Sequence, residues 1–302
     1  MSKYKQLSRG IYKKTGEIFL DKLFINKLYE DTNFHPRNRS RILIHEDTNT
    51  IPQEMLIAFN SKSIVEVSTH LFPESFTILN GVAKYIFYLD SGSLLGDVLL
   101  SPYSNKGCFY CFIPKNTYHR FIPYSEYSLA HEIGFSNFSP TSTTLYLENQ
   151  FKEISGTSNE KYSYYPRKIY RDNLKIRISE TSNLKIVFIS GEIVFVSYDL
   201  VQSLKSLIKP TILYIKNQIP DHLEENILIL MPGQEFIIDK NKSIKTVSII
   251  ENHVQLKLNT KRSIDFNKSN YLVYTANKEE EITSIKNTTN QISITRFVTL
   301  IR

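Results

Sequence analysis

Two stretches of this chain, residues 55–67 and 227–239, carry the same succession of apolar and polar positions. At an offset of 172, Met55-Leu-Ile-Ala-Phe lies over Ile227-Leu-Ile-Leu-Met, and Ile78, Asn80 and Val82 lie over Ile250, Asn252 and Val254 without a gap. Upstream, Gly16-Glu17-Ile18 echoes Gly191-Glu192-Ile193. Order and spacing agree at both ends, so the chain reads as a diverged duplication of one structural plan. Its 302 residues then divide into two similar domains of about 150 residues each.

Each copy reads as a short strand, one helix and then many short strands. In the first copy Leu20, Leu23, Phe24 and Leu28 recur at helical spacing. In the second, Leu200, Val201, Leu204, Leu207 and Ile208 do so behind Ser197, a candidate N-cap. The strands that follow are broken by turn-forming runs at residues 90–93, 101–105 and 259–262. With 19 Tyr and 18 Phe but no Trp, aromatic and β-branched residues favour strands. Regularly spaced short strands predict a sandwich or barrel. Residues 136–167, rich in Ser, Thr, Asn and Tyr with Pro140, Gly156 and Pro166, read as the linker. The boundary is expected near residue 155, dividing the chain into 1–155 and 156–302.

Charge narrows the function classes. The formal balance is +7, and residues 1–45 hold ten Lys or Arg against four Asp or Glu. No nucleic-acid module and no aromatic-interleaved basic stripe accompanies that excess, so nucleic acid is not expected as a partner. Arg37, Arg39 and Arg41 recur at strand-like spacing, which places them on one side of an extended segment. They form either a solvated basic face or a groove for a phosphorylated sugar or nucleotide sugar. The longest apolar runs, such as residues 227–231, are far below the roughly 20 residues of a membrane helix. No apolar core follows the basic amino terminus, so a cytoplasmic location is expected. Cys108 and Cys111 are three apart in a strand-like run and face opposite sides, which argues against a redox or zinc pair.

The metal chemistry concentrates in the first copy. His70-x3-Glu74-x6-Gly81 is followed by Gly107-x6-Pro114-Lys-Asn116-x2-His119. His70 and Glu74 are an even number of residues apart and can share a strand face. Two imidazoles and a carboxylate converging in a barrel mouth suit a divalent metal: Zn, Fe, Mn or Ni. Asn116, in the turn after Pro114, is placed to take the left-handed backbone conformation. Tyr118 and Arg120 alternate with His119 and should point away from the cavity.

These segments resemble the two cupin motifs, which usually read His-x-His-x3-Glu-x6-Gly (or x4 before the Glu) and Gly-x5-Pro-x-Gly-x2-His. The run from His35 to His45, with its alternating arginines, resembles the lead-in of WbuC-type cupins, and that resemblance covers residues 16 to about 148. It implies two tandem jelly-roll barrels, a metal in the mouth of the first and a setting in bacterial surface-polysaccharide (O-antigen or capsule) biosynthesis. It implies no established reaction. Ser68 stands where the first motif has its leading His, one extra residue separates Gly107 from Pro114, and Asn116 replaces a Gly. The ligands that remain are His70, Glu74 and His119, with His45 and His131 as nearby substitutes; otherwise His45 is a capping or surface residue and His131 a hydrogen-bonded strand residue.

At the offset of 172, His70, Glu74 and Gly81 fall on Lys242, Thr246 and His253, and Tyr271 to Asn277 aligned with Tyr110 to Asn116 leaves Glu280 at the His119 position. The second barrel is therefore expected to bind no metal and to serve packing, homodimerisation or a shared groove. Three functions follow. One is a metal-dependent isomerisation, epimerisation or hydrolysis of a sugar or nucleotide sugar, in which Glu74 or His119 shuttles a proton when not ligated. Ser68, His45, His131 and the three arginines would contact the substrate. Another is a non-catalytic glycan-binding or scaffold protein with a relic site. The third, an Fe(II) dioxygenase, draws on the two-His-one-carboxylate set.

Overall fold

The structure is a computed structural model that describes residues 4–137, 143–145, 174–215, 218–268, 271–276 and 279–302. Most of the expected linker and its boundary at residue 155 lie outside the described residues. In the first half, β1 (Tyr4–Ser8), β2 (Ile11–Lys14) and β3 (Ile18–Asp21) lead into helix α1 (Lys22–Thr32). Then come β4 (Arg39–Leu43), β5 (Gln53–Asn60), β6 (Ser68–His70), β7 (Glu74–Asn80), β8 (Ala83–Tyr88), β9 (Leu94–Leu100), β10 (Cys108–Ile113), β11 (Tyr118–Pro123), β12 (Tyr127–Gly134) and β13 (Thr143–Leu145). The second half opens with β14 (Lys175–Glu180), β15 (Lys185–Ser190), β16 (Val194–Ser197) and helix α2 (Tyr198–Leu204). It continues through β17 (Thr211–Ile215), β18 (Leu223–Leu230), β19 (Glu235–Ile237), β20 (Lys242–Ser243), β21 (Thr246–Glu251), β22 (His253–Leu258), β23 (Ser263–Asn267), β24 (Tyr271–Thr275), β25 (Ile282–Lys286) and β26 (Ser293–Ile301).

The chain is mainly β and folds as two tandem jelly-roll barrels. One wall of the first runs β4-β5-β12-β7-β10, and its counterpart in the second runs β17-β18-β26-β21-β24. The opposite walls are β9-β8-β11-β6 and β19-β25-β22-β23. Among the described residues, no helix is long and apolar enough to cross a membrane.

The second helix begins at Ser197 as the sequence predicts, whereas the first begins after Asp21 and leaves Leu20 in β3. Asp21 caps α1 by accepting from the Phe24 N–H, and Ser197 caps α2 by accepting from the Leu200 N–H. They end differently. Phe24 and Leu28 are buried, but Leu23 of α1 is exposed, and Leu207 and Ile208 lie beyond α2 and are exposed.

The strand before each helix does not join the barrel that follows it. β3 adds to β24 of the second barrel, with Ile18 opposite Thr275, while β16 adds to β10 of the first, with Phe195 opposite Cys111. Each barrel is therefore completed by the other half's leading strand. One apolar cluster consequently runs through both halves, joining Phe112 and Ile133 to Val194, Ile227 and Ile294. At its centre Arg296 and Glu225 are fully buried as an ion pair, and Ser75 and Tyr110 of the first barrel donate to the Glu225 carboxylate at 2.7 and 2.6 Å.

The true repeat offset is 171 and not 172. A bulge skips Leu79 in the pairing of β7 with β12 and Ile250 in the pairing of β21 with β26. The left-handed residue that follows is Gly81 (φ 77°) in one copy and Asn252 (φ 55°) in the other. Because side chains alternate, a slip of one residue exchanges the inner and outer faces. Met55 and Ile57 point into the first barrel, and their counterparts inside the second are Asn226 and Leu228. Glu74 thus corresponds to Lys245 and His70 to Asn241. His119, opposite Phe87, corresponds to Ile282, opposite Leu258. The residues expected at these positions, Thr246, Lys242 and Glu280, are displaced by one or two places.

Candidate metal centre

β11 runs antiparallel to β6, with His119 opposite Ser68, and β7 enters the same end of the barrel with Glu74 as its first residue. His70 ends β6, so it and Glu74 sit on consecutive strands across a turn and not on one strand face as the spacing suggests. The turn nonetheless brings the three side chains together. His119 Nε2 lies 2.9 Å from Glu74 Oε1, and His70 Nε2 lies 3.5 Å from Glu74 Oε2. One ligand atom from each of the three falls within 4.8 Å of the others, and they form the one such metal-ligating cluster among the described residues.

The chemistry of the donors fits a cation. His119 Nδ1 is 2.8 Å from the Thr117 carbonyl, which fixes that nitrogen as the donor and turns the Nε2 lone pair toward Glu74. Glu74 Oε1 is buried and receives no hydrogen bond from the neutral ring. Two lone-pair donors facing each other at 2.9 Å call for a proton or a metal ion between them. The electrostatics follow the same logic. Burial disfavours charge on Glu74, but His70 and His119 outweigh it and hold the carboxyl below its ordinary range. Burial also opposes protonation of His119, and Glu74 more than reverses it, whereas burial prevails at His70 and lowers it.

The cluster lies in a cavity of about 460 Å³, which Ser68, Tyr85, Glu132 and the three arginines also line. Arg39 and Arg41 point the same way from β4, as alternation predicts. With Arg37 and His35 they also line an adjoining recess of about 320 Å³. The left-handed turn falls at Asn116 (φ 60°), whose N–H donates to the His70 carbonyl at 2.7 Å. Tyr118 and Arg120 face outward: Tyr118 packs against Val67 and Tyr88, and Arg120 Nε donates to the Val65 carbonyl.

Two expected site residues do not line this cavity. His45 is buried with its Nδ1 at 2.9 Å from the Glu54 carbonyl. His131 faces the barrel interface, where its ring nears Glu54 and its carbonyl accepts from Arg296 Nη1. Its neighbour Glu132 takes the inward position, and burial together with Glu74 pushes that carboxyl up to about 8. Strand parity is the signal that identifies Glu132, since it lies opposite Phe76 and Met55, both of which face the cavity. Cys108 and Cys111 are free and buried in β10, and burial pushes both thiols upward.

In comparisons with known proteins, residues 20–100 match a family described as a domain of unknown function, DUF6016. No curated protein matches the sequence. Among solved structures, the salicylate 1,2-dioxygenase of Pseudaminobacter salicylatoxidans superposes with a TM-score of 0.61 at 10% identity, over 94% of this chain and 83% of that one. A point mutant of that enzyme in complex with gentisate gives 0.61 at 11% identity, over 93% and 81%. A cupin 2 conserved barrel domain protein from Leptotrichia buccalis gives 0.44 at 10% identity, over 87% and 89%. At these identities the likeness is one of fold. The chain carries the two-barrel cupin fold, with a cluster of side chains able to hold a metal in the first barrel.

Proposed function

We propose that this chain is a WbuC-like, metal-binding bicupin of bacterial surface-polysaccharide biosynthesis that works in the cytoplasm on a sugar or nucleotide sugar. The observation that carries the reading is the sharing of one cavity by Arg37, Arg39 and Arg41 with His70, Glu74 and His119. A pyrophosphate needs what clustered guanidinium groups supply, namely fixed positive charge and forked donors. His70, Glu74 and His119 would hold the divalent ion, which when bound supplies Lewis acidity for an isomerisation, epimerisation or hydrolysis. The arginines would orient the anionic end of the substrate, and the buried Phe76 and Phe121 would keep water from the inner end. Glu132, whose carboxyl is pushed up to about 8, holds a proton at neutral pH beside the bound sugar.

A second reading, a glycan-binding or scaffold protein without turnover, is favoured by Ser68. It occupies the inward place on β6, opposite His119, where the cupin pattern has an imidazole. Calorimetry with UDP-glucose, UDP and glucose tests the substrate class. The expected result is saturable binding of UDP-glucose that falls at least about tenfold, or 1.4 kcal/mol, in an Arg39→Ala/Arg41→Ala variant. Binding that the double variant leaves unchanged would contradict the assignment. Metal-dependent turnover of the bound nucleotide sugar separates enzyme from scaffold.

A further inference from the structure

We propose that the mouth of the second barrel is a separate binding site for a small, uncharged, apolar molecule. The barrel encloses a cavity of about 380 Å³, within the range of small-molecule sites. The pseudosymmetry shows how its chemistry has changed. Arg41, opposite Ile57 in the first barrel, corresponds to Ile212, opposite Leu228 in the second. Glu132, opposite Met55, corresponds to Phe297, opposite Asn226. Arg41 and Glu132, which line the first cavity, thus give way to Ile212 and Phe297, which line the second.

The remaining lining agrees. Phe188 and Tyr214 meet edge to face at 5.4 Å, and Phe236 stacks on Phe297 at 6.2 Å. The polar groups among them largely satisfy one another: Lys242 pairs with Glu224 at 2.6 Å, and Asn226 Nδ2 donates to Thr299 Oγ1 at 3.0 Å. With Asp239 at the exposed rim, the lining holds two carboxylates against one ammonium. It therefore repels the anionic ligands that the first cavity's arginines would attract. A sugar would leave most of its hydroxyls without partners on such walls. The occupant that these walls fit is therefore an uncharged, largely apolar molecule. The inference does not depend on a metal in the first barrel.

The test uses the neutral fluorophore N-phenyl-1-naphthylamine on the full chain. Because the sequence has no Trp, a Phe236→Trp variant provides a single indole at the rim as an energy-transfer donor. The expected result is one saturable site per chain, with energy transfer from that indole. Binding should weaken at least tenfold in Ile212→Arg, which installs the first barrel's charge, and in Phe236→Arg. It should be unchanged in Leu207→Ser/Ile208→Ser, which removes an exposed apolar pair elsewhere. If Ile212→Arg does not fold, the rim variant Phe236→Arg decides. No saturable binding, or binding that survives the cavity variants, would overturn the proposal.

Discussion

Arg296 of the second barrel donates through Nη1 to the Thr77 hydroxyl of the first at 2.9 Å, and both side chains are fully buried. The same guanidinium donates through Nε to Glu225 at 2.8 Å, and Ser75 and Tyr110 close the network from the first barrel. The halves are thus joined by a satisfied polar core as well as by exchanged strands. Removing the arginine strands a buried carboxylate. Arg296→Met is expected to cost about 3–5 kcal/mol in urea unfolding. A charge-free Arg296→Met/Glu225→Gln pair should recover much of that loss. A single variant as stable as the parent would show that the network carries no weight.

The two left-handed turns make a paired prediction. At Gly81, φ is 77° and an added Cβ would lie 2.3 Å from the Tyr127 carbonyl oxygen. Gly81→Ala should therefore cost more than the about 1–2 kcal/mol of a left-handed non-glycine residue. Its counterpart Asn252 already carries a side chain, which donates to the Ile292 carbonyl. Asn252→Gly should lose no more than that hydrogen bond, about 1 kcal/mol. Chemical denaturation of the two variants checks the asymmetry.

His131 is buried, and that burial lowers its pKa from the ordinary 6.5, with Arg296 acting in the same direction against Glu54. The folded protein thus binds this proton less readily than the unfolded chain does. The associated stability is present above the unfolded value of about 6.5 and is lost as pH falls below it and through the lowered folded-state value. His131→Gln should flatten the acid side of a plot of unfolding free energy against pH. An unchanged slope would assign the acid sensitivity to other groups.

The cysteines should be chemically silent. Burial pushes the Cys108 thiol up to about 12 and raises Cys111 further from reactivity. A thiol reagent such as DTNB is expected to label neither in the native protein and both, two per chain, once it is unfolded. Rapid native labelling would contradict the tight core around β10.

The metal cluster was legible from motif spacing, although its two leading ligands sit across a turn and not on one strand face, and the arginine face was legible from local alternation. His70, Glu74 and His119 kept a motif spacing, and Arg39 and Arg41 point one way because they are two apart. The repeat register was not legible. β18 is buried along nearly its whole length, and a strand buried on both faces has no polar alternation to fix its phase. Offsets of 171 and 172 then look alike in sequence but oppose each other in space. The same ambiguity hides Glu132, because it and His131 are adjacent residues on opposite faces of β12, a strand buried along most of its length. Strand exchange was out of reach for a different reason. The partner of β3 is set by packing some 250 residues away in sequence, at Tyr271 to Thr275, and nothing local encodes that choice.

The central claim is that His70, Glu74 and His119 hold a metal, and elemental analysis of the untagged protein tests it most directly. The protein, purified without chelator and then supplied with Zn, Fe, Mn or Ni, should carry close to one equivalent of a single metal per chain. His70→Ala/His119→Ala should carry almost none while remaining folded by circular dichroism. Wild-type protein that stays empty after each metal is offered, or a double variant that retains its metal, would contradict the account.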